Sequence, residues 1–305
     1  MKRSVIWLLA LAVFLTLWSG PGARAAEPMR LATGGAGDFF WVMGKELCRI
    51  WSEDGLPASV VETAGDRQNM DLVVSGKADA ALVSGFALAG YLAEHPGAPI
   101  VTVASCWKSP VHVFLNREFI KTGSLADLTG RRLYLGPEAS PDGIAARRIL
   151  AALGIKPNRY AREISETELL SVMTDFIKRE LDGAVIIGPA PDPMVRDIIS
   201  GAGGIMGLIP AGPDDIAVLS AAGLPVFAAT LPKESYSYQS DDIQLIAEGT
   251  YLIARTELPN ETARLLSSGI FENAGRLAAY FPQGGKLSAS DAAAHPVAPM
   301  QPALK

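Results

Sequence analysis

Residues 29–51 read Met29-Arg30-Leu31-Ala32-Thr33-Gly34-Gly35-Ala36-Gly37-Asp38-Phe39-Phe40-Trp41-Val42-Met43-Gly44-Lys45-Glu46-Leu47-Cys48-Arg49-Ile50-Trp51, and they hold the pattern that decides the fold. A short β-prone run, Met29 to Thr33, empties into a glycine-rich turn, and from Phe39 to Trp51 the apolar positions recur at helical spacing. A strand, a tight turn and a helix make up half of a βαβ unit, and the alternation continues downstream. Ser59 to Glu62 reads as a strand, Gln68 to Ser75 as a helix, Ala80 to Val83 as a strand and Phe86 to Glu94 as a helix. Short strands separated by amphipathic helices predict helices laid on a largely parallel sheet, the α/β class.

Ile100 to Ala104 and Val111 to Asn116 come next as two further strands, with Pro110 expected to interrupt the pairing between them. A second module starts near Lys121. Leu133 to Leu135 is a strand, Pro141 to Leu153 a helix with Gly154 just past its end, and Glu166 to Arg179 a helix. Ala184 to Ile187 and Ile205 to Ile209 read as strands, Val195 to Ser200 and Asp214 to Ala222 as helices. Ile243 to Ala254 returns to a strand pattern, and Glu261 to Tyr280 closes with helix. Residues 284–305, rich in Ala, Pro and Ser, are expected to be loosely ordered.

The first 25 residues have the order of a secretory leader: Lys2 and Arg3, an apolar stretch from Val5 to Trp18, then Ala23-Arg24-Ala25. That stretch falls short of the roughly 20 residues a helix needs to cross a membrane, so the expectation is a cleaved leader and a periplasmic protein without stable membrane insertion. Loss of Lys2, Arg3 and Arg24 leaves 24 basic residues against 32 acidic, a net charge of −8, which opposes nucleic-acid binding. The two cysteines, Cys48 and Cys106, have the choice of pairing in an oxidising compartment or serving as small apolar residues. His95, His112 and His295 are scattered, and no local hydrolase or metalloprotease motif is present, so no catalytic residue, metal or cofactor is assigned.

Three loops each follow a strand and open a helix, where unpaired N–H groups and the helix dipole favour an anionic group. They are Gly34 to Asp38, Ala64 to Asn69 and Gly136 to Asp142. Glycines in the first admit close approach of a ligand or simply make a tight turn. Ser140 caps a helix whose first turn Pro141 occupies, with or without a further role. Phe39 walls a ligand or packs the helix on the sheet.

The ordered set Leu31-Ala32-Thr33-Gly34-Gly35-Ala36-Gly37, Gly65 to Asn69 leading to Ser75-Gly76-Lys77-Ala78-Asp79-Ala80-Ala81-Leu82-Val83, and Ser124 to Pro137 resembles the TAXI (TRAP-associated extracytoplasmic immunogenic) solute-binding family. Asp182-Gly183-Ala184 and Pro191 to Asp197 extend the likeness over most of the mature chain. The resemblance implies two lobes joined by crossing strands and closing on a small organic solute, amino-acid-like or carboxylate-related. It also implies handover to TRAP membrane subunits, two or one fused. It divides the chain into a leader (1–25), a discontinuous first lobe (26–110 and 236–305) and a second lobe (111–235). Carried over position by position, it makes Gly35, Ala36, Phe39, Arg67, Asn69 and Ser140 ligand contacts.

The chain departs from the family where Asp66 and Asp142 stand in place of neutral residues and where Ala139-Ser140-Pro141-Asp142 replaces a glycine-serine-glycine-threonine run. Asp142 is therefore expected to add a polar contact and to turn preference toward a neutral, zwitterionic or cation-bearing solute, unless it only caps its own helix. A ligand-presenting sensor is the alternative to a transport receptor. Cleavage is expected after Ala25; N-terminal sequencing of the periplasmic protein should begin at Ala26, and a start at Met1 would refute it.

Overall fold

Three parallel strands, β1 (Met29–Ala32), β2 (Ala58–Val61) and β3 (Ala80–Ser84), share one sheet, β1 lying between the other two. Each is followed by a helix: α1 (Phe39–Glu53), α2 (Asp66–Val74) and α3 (Gly85–Glu94). The computed structural model describes residues 27–136, 141–156, 159–160, 169–280 and 297–304. The leader, Ser140 and part of the expected Glu166–Arg179 helix lie outside them.

Two long strands dominate the remainder of the sheet. β4 (Ile100–Asn116) runs for 17 residues and β10 (Ile243–Arg255) for 13. They pair antiparallel from Ala247↔Pro110 to Arg255↔Ile100, and β10 also pairs with β3. Beyond Pro110 the partner of β4 changes. Val111 to Leu115 pair with β7 (Gly183–Ile187), which continues to β5 (Arg132–Tyr134) and β6 (Arg159–Tyr160). Phe114 to Asn116 also pair with β8 (Met206–Leu208), and Ile243 to Glu248 of β10 pair with β9 (Val226–Leu231). The order is β2-β1-β3-β10-β4-β7-β5-β6. This is the expected α/β class with crossing strands.

The expected break at Pro110 is corrected. The strand is continuous because the missing proline N–H falls where β4 leaves one partner for another, while the Pro110 carbonyl accepts from Gly188 N at 3.2 Å. The tail differs as well. Thr102 N donates to Pro299 O and Gln301 N to Thr102 O, and Ala298 and Gln301 are buried, so 297–304 are held against β4 by backbone bonds that composition does not reveal. Strand β9 has no counterpart among the expected elements, and the last helix breaks into α8 (Asn260–Glu272) and α9 (Ala274–Leu277) at Asn273.

Strand alternation sorts the core. Ala80, Leu82, Leu252 and Ala254 face Met43, Leu47 and Trp51 of α1 and Leu266 of α8, whereas Ala81, Val83, Tyr251 and Ile253 face Met70 and Val73 of α2 and Leu88 of α3. Past Pro110, Val111, Val113 and Leu115 pack against α4 (Pro141–Ala152), and Phe114 against α6 (Pro193–Gly201) and α5 (Leu169–Ile177). Helix α7 (Pro213–Ala221) adds Leu219 to the α4 side. No helix of the described residues is long and apolar enough to cross a membrane.

Trp51 is fully buried, its Nε1 donates to Leu266 O at 3.1 Å, and its ring lies under α8 so closely that a Cβ on Gly269 would sit 2.6 Å from Cδ1. Gly269→Ala is therefore expected to cost about 1–3 kcal/mol by overpacking, against the roughly 1 kcal/mol that alanine gains in an open helix. Urea denaturation measures the sign; a stabilised variant would show that the ring yields.

Candidate functional site

Parallel pairing puts the C-terminal ends of β1, β2 and β3 on one edge, so the turns at 33–38, 62–65 and 84–85 open side by side. From the second group, the N-terminus of α4 meets this edge: a Cβ on Gly65 would lie 3.9 Å from Pro141 Cγ, and Arg148 Nη1 of α4 donates to Phe86 O of α3 at 3.4 Å. The level at which β4 and β10 change partners, Pro110 beside Ala247, runs past the same place.

The residues expected at the site have different fates. Gly35 N donates to Asp38 Oδ2 at 2.7 Å and Ala36 N to Glu62 Oε1 at 3.2 Å, so carboxylates of the chain already engage the first loop. Phe39 meets Trp107 of β4 edge-on, with ring centroids 5.7 Å apart, and both belong to or pack on the α1 core. Asn69 is fully buried. Its Nδ2 donates to Thr33 O and to Leu82 O at 3.0 Å, and Thr63 Oγ1 donates to its Oδ1 at 2.6 Å, which makes it the tie joining the first three strands at their ends. Arg67 is exposed; its guanidinium binds Glu94 at 2.5 Å and covers the Tyr91 ring at 5.1 Å. Asp142 is exposed in the first turn of α4, and Ser140 is outside the described residues.

Sequence reasoning singled out Asp66 but missed Ser84, Glu248 and Thr250 at the centre of this edge. Glu248 is 3% exposed, and one of its carboxyl oxygens accepts from Phe86 N at 3.2 Å. Burial, and then the negative charge of Asp142, holds its carboxyl well above the usual range. Asp66 is 5% exposed and pushed up to about 6 by burial, opposed by hydrogen bonding to Ser84. Ser84 Oγ also accepts from Ala87 N as the cap of α3. Thr250, which pairs with Ser84 on one side and Trp107 on the other, is 1% exposed, and its Oγ1 has no hydrogen-bond partner among the described residues. One signal for Glu248 was available: a single carboxylate inside the apolar strand Leu245-Ile246-Ala247-Glu248-Gly249-Thr250-Tyr251-Leu252 is a buried acid that packing alone does not account for.

A separate cavity of about 160 Å³, lined by Arg117, Met206, Tyr238 and Ile243 among others, contains none of these groups. Cys48 and Cys106 are both free thiols, each pushed up to about 12 by burial, so neither reads as a reactive nucleophile. His112, fully buried with Nε2 2.9 Å from the Tyr236 hydroxyl, is held down to about 4 by burial. Among the described residues no group of three His, Cys, Asp or Glu is arranged to hold a metal ion.

Comparison with known families matches residues 31–304 to the model described as the NMT1-like family. No curated protein matches. Among solved structures, a protein from Bordetella bronchiseptica RB50 is similar at 17% identity and a TM-score of 0.48, covering 84% of this chain and 76% of the other. The periplasmic aliphatic sulphonate binding protein SsuA from Escherichia coli is similar at 15% identity and 0.49, covering 83% and 76%. A nutrient binding protein from Burkholderia cenocepacia bound to methionine aligns at 16% identity and 0.47, covering 83% and 97%.

The raised Asp66 carboxyl makes stability depend on pH. An acid whose folded pKa lies near 6 against an ordinary 3.8 contributes stability that is fully present below the ordinary value and lost as pH rises through about 6. Asp66→Asn keeps the acceptor for Ser84 and removes the ionisation. It is expected to be more stable than the natural chain at pH 8 by about 2 kcal/mol, and equal to it near pH 4. Urea midpoints at the two pH values check this; a variant weaker than the natural chain at pH 8 would refute it.

Proposed function

We infer that this chain, which belongs to the NMT1-like family, is a periplasmic solute-binding protein that captures a small organic solute between two lobes for a membrane transporter. The observation that carries the reading is the pair β4 and β10. Both leave one set of partners for another at the level of Pro110 and Ala247, and the buried polar groups Ser84, Glu248 and Thr250 collect at that level. Two strands that share a crossing point make a hinge, and polar groups buried at a hinge are reached when the lobes part and covered when they meet.

In this reading the first lobe, expected as 26–110 and 236–305, keeps 26–110 and the chain past Ala247, because Tyr236 and Leu245 pack with Phe114 and Ile246 with α4; the second holds 111–235 with the β9–β10 pairing at its margin. The packing supports it: Ile246 joins the core around α4, whereas Leu252 joins the core around α1. The site comprises Glu248, Thr250, Asp66, Ser84 and Asp142, with Phe39 and Trp107 as the apolar wall. Gly35 and Ala36 shape the first turn, and Asn69 positions the strand ends. Arg67 is occupied by Glu94, and it contributes charge at the margin. Delivery to a TRAP-type transporter rests on the TAXI-like segments of the sequence, and export rests on the leader.

The protein binds its solute without turning it over, so ligand and closure are the quantities to measure. Small-angle scattering before and after removal of a natively retained solute is expected to show a smaller radius of gyration for the loaded protein. An unchanged radius at saturation would refute a closing cleft.

A further inference from the structure

The hinge-level cluster is one-sided in charge. Glu248 and Asp66 are both more than nine-tenths buried, and among the described residues neither forms an ion pair. Asp142, in the first turn of α4, is a third acid whose charge acts on Glu248. The cations nearby in the fold are directed elsewhere: Arg148 reaches the Phe86 carbonyl, Lys108 on β4 lies over the Phe227 ring, and Arg67 binds Glu94. Buried carboxyls with no cation are costly, and such groups persist where something outside the chain completes them.

A second, independent observation points to what completes them. Thr250 lies two residues beyond Glu248 with no register shift between them, so its side chain is on the same strand face, and its buried Oγ1 has no partner among the described residues. Among the described residues, several of the donors an anionic ligand group would use are, by contrast, already bound. Asp38 binds Gly35 N, Glu62 binds Ala36 N and Glu248 binds Phe86 N, while Asp66 and Asp142 stand in the first turns of α2 and α4. A ligand carboxylate would meet acceptors where it needs donors.

We propose that the solute held in the cleft carries a protonated amine, seated between the Glu248 and Asp66 carboxylates with the Thr250 hydroxyl accepting one of its N–H bonds. The proposal rests on the binding-protein reading and names the solute's charge. An ammonium offers three donors and no acceptor, which matches two carboxylates and one hydroxyl. Burial and the charge of Asp142 favour the protonated Glu248 carboxyl, whereas an ammonium favours the carboxylate, so a proton held there leaves to solvent as the pair forms. Affinity therefore rises with pH until the amine itself titrates. The charged groups in play are Asp66 from α2 and Asp142 and Arg148 from α4.

Calorimetry and thermal unfolding of the exported protein with putrescine, γ-aminobutyrate and succinate test this, since the three share a four-carbon spine and differ in charge. Putrescine is expected to bind most tightly and to raise the unfolding temperature, and succinate to leave it unchanged. Glu248→Gln retains an acceptor for Phe86 N and, without a buried acid, folds at least as stably at pH 8, yet it should weaken putrescine about thirtyfold or more. Thr250→Val should weaken it by a smaller factor. Succinate binding as tightly as putrescine, no response to either amine, or unaltered affinity in Glu248→Gln would each overturn the proposal. Compaction on binding an anion would overturn the amine alone, whereas failure of any retained solute to compact the protein would remove the binding-protein reading beneath it.

Discussion

The pairing of β4 with β10 is the constraint on which the rest of the structure depends. Each strand has a half that belongs to one set of sheet partners and a half that belongs to another, and the two change over opposite each other, Pro110 beside Ala247. Because the pair is antiparallel and central in the strand order, it carries the chain connection and the sheet between the two sides, and contacts of α3 with α4, of Gly65 with Pro141 and of Gly85 with Pro225 add to it. The changeover also divides the packing, since Leu252 and Ile246 belong to different cores although they lie six residues apart on one strand. Proline at the changeover is compatible with this role: it lacks the donor that either neighbouring ladder would otherwise demand.

The same constraint explains why polar groups are buried there. A strand that crosses between two packed cores must pass through the gap between them, where neither core supplies apolar contacts on both faces. Ser109, Glu248 and Thr250 occupy that stretch, and all three are less than nine per cent exposed. The cost is electrostatic. Glu248 has one backbone donor, from Phe86, and feels Asp66 and Asp142 rather than a cation. A core residue of the same size at position 248 would serve stability better, so the carboxyl is best understood through what approaches the hinge from outside.

Much of the architecture was legible in the sequence because it is carried by period. The alternation of Ala80 to Val83 sorts cleanly onto two helical layers, and the helical spacing of Phe39 to Trp51 places Met43, Leu47, Ile50 and Trp51 in one core. Features that depend on long-range pairing were not legible. Pro110 reads as an interruption because its local effect is known and its change of partner is not. Arg67 and Asn69 stand together in a loop that invites a ligand, yet Glu94, 27 residues on, claims the first, and the carbonyls of Thr33 and Leu82 claim the second. Glu248 lies far in sequence from every glycine loop, and only the antiparallel return of β10 brings it beside Phe86.

The helix N-termini along this edge show how a sequence answers from within the donors that a fold presents. Strand ends that open helices present N–H groups whose field favours anions, and that geometry is fixed by the fold. A sequence cannot remove those donors without dismantling the helices, but it can satisfy them from within. Glu248 binds Phe86 N in the first turn of α3, Asp38 and Glu62 bind Gly35 N and Ala36 N in the turn before α1, and in the part of the sheet beyond Pro110 Asp192 caps α6 through Met194 N and Val195 N. Each such carboxyl oxygen supplies, at its donor, an acceptor that would otherwise come from solvent or a ligand. The adjustment needs no change of backbone: carboxylates placed in a turn or brought in by a returning strand occupy donors on an edge whose geometry the helices fix.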